Sequence, residues 1–246
     1  MYHIVVTISR ISRDFARSGW RLALWLSVVF AGCVFAAEAG AEEGPVLWAV
    51  DFAQQESGEA PEFGRGLVVR EEGGQKFLSK QNADTEFLFA RQIQQKGTTN
   101  WIDYVFTVRY RETEKATVAL VVKSRGTRGE MPYQQYYVGI GDKGFGLICH
   151  GYPKENAVAG DPRLQASVSF EELGASVIPV GQWVTASVAV GDEVIKVSVD
   201  AGDGQERKAE FKVFPGAGGV AVLTRSSLDV LSASVKEAGA AVVATP

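Results

Sequence analysis

Two cysteines and two histidines are all that the 246-residue sequence contains. Cys33 lies in an apolar N-terminal run and Cys149 in the body, so loss of that run leaves one thiol and no internal disulfide. His3 belongs to the same N-terminal stretch, which leaves His150 alone. A histidine metal cluster is thereby excluded, and a Ser-His-Asp triad would have to use His150 without a G-x-S-x-G elbow to present its serine. A surface or packing role is the simpler reading of His150. Long amphipathic helices are absent beyond residue 39. Gly139-x-Gly141-x-x-Gly144 matches a dinucleotide fingerprint in form only, because Phe145 to His150 read as a strand where pyrophosphate needs a helix N-terminus. Basic clusters are lacking as well. With 25 Lys and Arg against 29 Asp and Glu the formal net charge is −4, and phosphate neutralisation has no footing, so nucleic acid is not an expected partner.

Residues 1–39 stand apart. Arg10, Arg13, Arg17 and Arg21 precede the apolar run LALWLSVVFAGCVFAA, and a small-residue site follows, the pattern of an export signal. Cleavage after Ala39 removes four of 25 basic and two of 29 acidic residues and leaves a net charge of −6. Phe30-Ala31-Gly32-Cys33 resembles a bacterial lipobox, in which Cys33 would be lipidated. Plain cleavage, a lipidated Cys33 and an uncleaved signal anchor therefore stay open, and a membrane is expected as partner only through the last two. All three place residues 40–246 outside the cytoplasm, in the periplasm, the cell envelope or the medium.

The body reads as strands. Val184, Ala186, Val188 and Val190 alternate with small or polar residues, as do Ile195, Val197 and Val199, so Gly181 to Asp200 form a half-buried hairpin. A turn at Gly191-Asp192 sets Val188 opposite Ile195 and Ala186 opposite Val197. Ile102, Tyr104, Phe106, Val108 and Tyr110 share a face of another strand, with which Thr117 to Lys123 is expected to pair. Gly66 to Ser79 hold a further hairpin around Glu71 to Gly74, and Lys208 to Phe214, Gly219 to Thr224 and Val230 to Lys236 supply closing strands. Roughly a dozen short strands with frequent turns predict an all-β sandwich of two antiparallel sheets, a jelly roll over 40–237, before a disordered tail at 238–246.

One hairpin has an unusual face. A two-residue turn at Asp142-Lys143 pairs Ile140 with Phe145, Val138 with Leu147 and Tyr136 with Cys149 on the core side, and Gly139 with Gly146 on the other. The glycine pair leaves a floor without side chains, walled by Tyr137, Ile148, Gln135 and His150, which suits a sugar ring stacked on an aromatic. Tyr133, Tyr152, Arg125 and Arg128 lie on adjoining loops as rim candidates. The plainer reading is that the glycines ease sheet curvature and the tyrosines cap it.

Trp183, the hairpin through Val188, Val190, Gly191, Ile195, Val197, Val199 and Asp200, the run Gly218 to Val222 and the terminal strand from Val230 to Val235 together resemble the concanavalin A-like lectin and glucanase superfamily. Within it, the chain is similar to LamG-like and 3-keto-disaccharide hydrolase-like domains of exported bacterial proteins. Tyr136 to Asp142 resembles the hydrolase-like family's Y-E-V-Q-I-x-D strand, but Tyr137 stands where that family has Glu and Gly139 where it has Gln. The resemblance thus implies a non-catalytic carbohydrate-binding jelly roll, with Tyr137 as platform and Gln135, His150 and Arg125 as polar contacts. Its alternatives are a glycoside hydrolase using Asp142 and a cell-envelope scaffold that binds protein. Relatives of this fold often bind a structural calcium near the first and last strands, which makes Asp51 and Asp229 the candidates, although Val230-Leu231-Ser232 lacks the usual carboxylate. No other cofactor is implied.

Overall fold

The computed structural model describes residues 44–80, 86–89, 101–115, 117–125, 134–151, 158 and 160–239. The export signal with Cys33, the loop residues Arg128, Tyr133 and Tyr152, and residues 240–246 lie outside them. The described residues form fifteen strands: β1 (Val46–Asp51), β2 (Gly58–Glu59), β3 (Leu67–Glu72), β4 (Gln75–Lys80), β5 (Glu86–Leu88), β6 (Tyr104–Glu112), β7 (Val118–Arg125), β8 (Gln134–Gly141), β9 (Gly144–His150), β10 (Gln165–Ser169), β11 (Trp183–Val190), β12 (Val194–Asp200), β13 (Arg207–Lys212), β14 (Gly219–Thr224) and β15 (Leu228–Glu237). A short 3-10 turn, Phe52–Gln54, follows β1. No described helix is long and apolar enough to cross a membrane.

The strands make two antiparallel sheets packed as a jelly-roll sandwich. The larger runs β13-β12-β11-β6-β15-β4-β3-β2, with β1 also on β15, and the smaller runs β10-β9-β8-β7-β14-β5. Period-two alternation sets which side is buried. Tyr104, Phe106, Val108 and Tyr110 of β6 and Val184, Ala186, Val188 and Val190 of β11 point inward against Val118, Leu120, Val122, Tyr136, Val138 and Ile140 of the smaller sheet. Each large apolar side chain so buried contributes roughly 1.5–3 kcal/mol. Trp48, Phe52, Phe63 and Phe89 extend this core beneath β1 through edge-on and stacked ring contacts. Two buried tyrosines add polar ties: the Tyr104 hydroxyl of β6 accepts the amide of Lys123 in β7 of the other sheet, and that of Tyr136 accepts the Phe214 amide beyond β13.

Three sequence expectations need correction. The β11–β12 turn falls one residue later, at Asp192-Glu193, so Val190 faces Ile195 and Val188 faces Val197. Gly191 is not among the positive-φ glycines, so it does not open the type II′ turn that a two-residue loop at Gly191-Asp192 implies. The turn is fixed from outside instead: Lys123 Nζ donates to the Asp192 carbonyl, Gly216 N to Asp192 Oδ1, and Val213 N to the Glu193 carbonyl. The slip is two places in register, so the buried face survives it. The second correction concerns β6 and β7, which do not pair: β6 lies between β11 and β15, whereas β7 lies between β8 and β14 in the other sheet. Third, Ile102 precedes β6 and is 50% exposed, outside the core. Of the expected tail, Ala238 is tied down, its amide donating to the Asp103 carbonyl.

Arg207 on β13 is wholly buried and binds the 170–178 loop to the sheet. It pairs with Asp203 at 2.6 Å, donates to the Ser176 carbonyl at 3.1 Å and lies against the Phe170 ring. That guanidinium pulls the Asp203 carboxyl down to about 2. Ser169 opens the same loop with a reciprocal cap: its hydroxyl accepts the Glu172 amide while the Glu172 carboxylate accepts the Ser169 amide.

Candidate functional site

The β8–β9 hairpin has the register its Asp142-Lys143 turn predicts, with Gly139 opposite Gly146 and Tyr137 opposite Ile148. Neighbouring pairings extend each of these pairs into a row across the outer face of the smaller sheet. Leu223 of β14, Ala119 of β7, Gly139, Gly146 and Ser167 of β10 stand side by side. The small members of this row, Ala119, Gly139, Gly146 and Ser167, are the floor. The next row begins at the buried Val121, and its other members, Tyr137, Ile148 and Gln165, rise as a ridge along the floor. Thr117, Gly141 and Gly144 bound the other side, and the whole forms an open groove of about 690 Å³.

The glycines differ in why they are glycine. A Cβ on Gly144 would sit 2.4 Å from the Val168 carbonyl oxygen, so close β10 packing demands its absence. A Cβ on Gly146 would meet nothing within 4 Å. Gly146 also lacks a positive φ. Neither packing nor backbone conformation accounts for it, and a strand-interior glycine costs about 0.5–1 kcal/mol relative to alanine.

Tyr137 stands over this floor in an organised setting. Its hydroxyl donates to Gln135 Oε1 at 2.8 Å, and Gln135 Nε2 donates to Ser124 Oγ at 2.9 Å. His150 meets the tyrosine ring edge-on, with centroids 4.7 Å apart. Gln135 therefore holds Tyr137 by its polar end while His150 braces the ring's side, which fixes the orientation of an aromatic face. Ile148, 45% exposed, adds apolar surface beside it.

The remaining sequence candidates lie elsewhere. Arg125 ends β7 opposite Gln134, its guanidinium against Gly216, and does not line the groove. Asp142 pairs with Lys115 at 3.5 Å and borders a small separate cleft with Tyr110 and Ile178. It is not brought to Tyr137. Asp51 Oδ1 accepts the Ala53 amide at 2.9 Å. Asp229 is buried, accepting from Ser79 Oγ at 2.8 Å and from Arg111 Nη2 at 2.8 Å, so a guanidinium holds the place beside that carboxylate. Arg111 is itself clasped between the rings of Phe77 and Trp183. Among the described residues no group of three or more His, Cys, Asp or Glu is arranged to hold a metal ion. Cys149 is in no disulfide among the described residues and is half-buried rather than fully enclosed.

Thr117, Gln165, Ser167 and Arg225 are among the groove residues that escaped sequence reasoning. Each comes from a strand or strand end remote in sequence from Tyr137. Only the sheet order β10-β9-β8-β7-β14 assembles them, and no local pattern announces that order.

A scan of family models finds no match to this sequence, and a search of curated proteins finds none. Solved structures do match. The chain is similar to the marine PL-14 alginate lyase from Aplysia kurodai over 78% of this chain and 99% of that one, at 8% identity and TM-score 0.52. It is also similar to domain 4 of AbnA, an extracellular arabinanase from Geobacillus stearothermophilus, over 80% and 94% at 12% identity and TM-score 0.45. The seed lectin of Lotus tetragonolobus aligns over 81% and 100% at 9% identity and TM-score 0.44. At such identities the first likeness shows a shared fold and nothing more, a jelly-roll sandwich.

Proposed function

We propose that this protein is an exported, non-catalytic carbohydrate-binding module of LamG-like or 3-keto-disaccharide hydrolase-like descent, and that the groove on its smaller sheet receives the glycan. The observation that carries the reading is Gly146, a strand residue opposite Gly139 with open space where its side chain would be. A sugar ring needs a flat floor for its axial hydrogens and an aromatic face to stack on, and the Gly139–Gly146 floor beside Tyr137 offers both. Lectins and glycan-active enzymes with this sandwich support the same class of ligand. A hydrolase is disfavoured on geometry. Glycoside cleavage calls for two carboxyl groups flanking the bond, and no Asp or Glu lines the groove among the described residues. Residues 1–39 place the domain outside the cytoplasm, by cleavage, by lipidation at Cys33 or as an anchor.

The test is affinity electrophoresis of the full-length chain through gels containing neutral and acidic polysaccharides. Retardation by at least one polymer is expected. Tyr137→Ala should weaken the apparent affinity about 5- to 150-fold, as for the loss of stacking worth about 1–3 kcal/mol. Gly146→Leu should abolish it by filling the floor while leaving the melting temperature within a few degrees. Failure of every polymer to retard a folded wild type refutes the proposal and returns attention to a protein partner.

A further inference from the structure

The residues around the groove are not a sample of the molecule's charge. The chain carries 29 acidic and 25 basic residues, yet among the described residues no Asp or Glu lines the groove, while His150 and Arg225 do. The acids nearest in sequence are held away from it: the Asp142 carboxylate faces Lys115, and that of Glu114 accepts the Ser227 amide. Arg225 is exposed at the end of β14, with no hydrogen bond or ion pair among the described residues. A guanidinium placed beside a binding floor without a carboxylate partner is a ready fork for an anionic oxygen pair.

Its position sets the size of the ligand. Register carries Arg225 into the row of Thr117, Gly141 and Gly144, whereas His150 stands opposite Gln135, beyond the Tyr137–Ile148 ridge. Strand spacing of about 4.8 Å and a rise of about 3.3 Å per residue then separate the two on the order of 20 Å, diagonally across the floor. A single small anion cannot reach both. Building on the glycan-binding reading above, we propose that the groove takes an acidic polysaccharide, an extended chain bearing carboxylate or sulfate groups, with Arg225 and His150 contacting anionic groups at its two ends and Tyr137 stacking a ring between them.

The experiment runs the full-length chain through gels containing polygalacturonate, dextran sulfate, neutral dextran or neutral galactan. Wild type, Arg225→Gln, His150→Gln and Arg70→Gln are compared, Arg70 being an exposed cation of β3 in the other sheet. An acidic polymer should retard wild type most, and the first two variants should each weaken this about tenfold, as for one charge-assisted hydrogen bond. Arg70→Gln should change nothing. Polygalacturonate as the stronger ligand assigns carboxylates, and dextran sulfate assigns sulfates. Equal retardation by neutral polymers, undiminished in Arg225→Gln, overturns the acidic class while leaving the glycan groove standing. An equal loss in Arg70→Gln also overturns it, since diffuse polyelectrolyte attraction then explains the binding. Retardation by none of the four removes both proposals together.

Discussion

Two glycines in one strand make opposite predictions. Gly144→Ala drives a methyl group to 2.4 Å from the Val168 carbonyl oxygen and 2.9 Å from the Ser169 Cα, both rigid backbone. Either β10 must move or the β9 turn must open, and a loss of about 1–3 kcal/mol is expected, read as a lower urea midpoint. Gly146→Ala should leave the midpoint unchanged or raise it, because the methyl group enters open space and the unfolded chain loses freedom. If Gly146→Ala proves as damaging as Gly144→Ala, the glycine serves sheet curvature and the floor has lost its special standing. Sequence alone treats the two residues alike. Only the approach of β10, which sequence spacing does not reveal, separates them.

At the level of the element, the β8–β9 hairpin was legible and the β11–β12 hairpin only partly so. The first has a two-residue turn whose own residues set the register. In the second, the turn is seized by groups from far along the chain: Lys123 Nζ takes the Asp192 and Phe214 carbonyls, and Gly216 N takes the Asp192 side chain. Alternation of Val and Ala predicted the buried face correctly, because a shift of two places preserves parity; it carried no information on such a remote clamp. Lys123 also gives β7 a pH signature. Burial lowers its ammonium from the ordinary 10.5 to about 8, against the attraction of Asp192 and Asp103. Between these values the unfolded chain holds more protons than the folded one, so stability rises with pH across that window. Above about 10 the trend reverses, since Tyr104, Tyr110 and Tyr136 have raised values and keep protons that the unfolded chain gives up. Urea titrations between about pH 7.5 and 9.5 should therefore show wild type gaining stability and Lys123→Met staying flat. Parallel curves for the two proteins would remove Lys123 as the cause.

For the molecule as a whole, fold class followed from composition and alternation, while strand order did not. Thr117 to Lys123 does not pair with the strand expected of it, because the chain after β6 crosses to the opposite sheet. Crossings of this kind depend on which apolar faces meet, a property of the assembled sandwich. The large sheet depends on its last member most. β15 bonds β6 along nearly all its length, with β4 and then β1 on its other edge. A chain ending at Ser227 should lack native near-ultraviolet circular dichroism, and a cooperative melt from it would contradict that dependence. The placement of β15 also bears on biosynthesis. Val46, in the first strand, waits for Lys236 as its partner, so a nascent chain emerging from the ribosome has an unfilled seam at the middle of its larger sheet until β15 has been made. On the proposed reading of residues 1–39 as an export signal, this order of strand synthesis keeps the chain unfolded, and so threadable through a narrow channel, until β15 has been made.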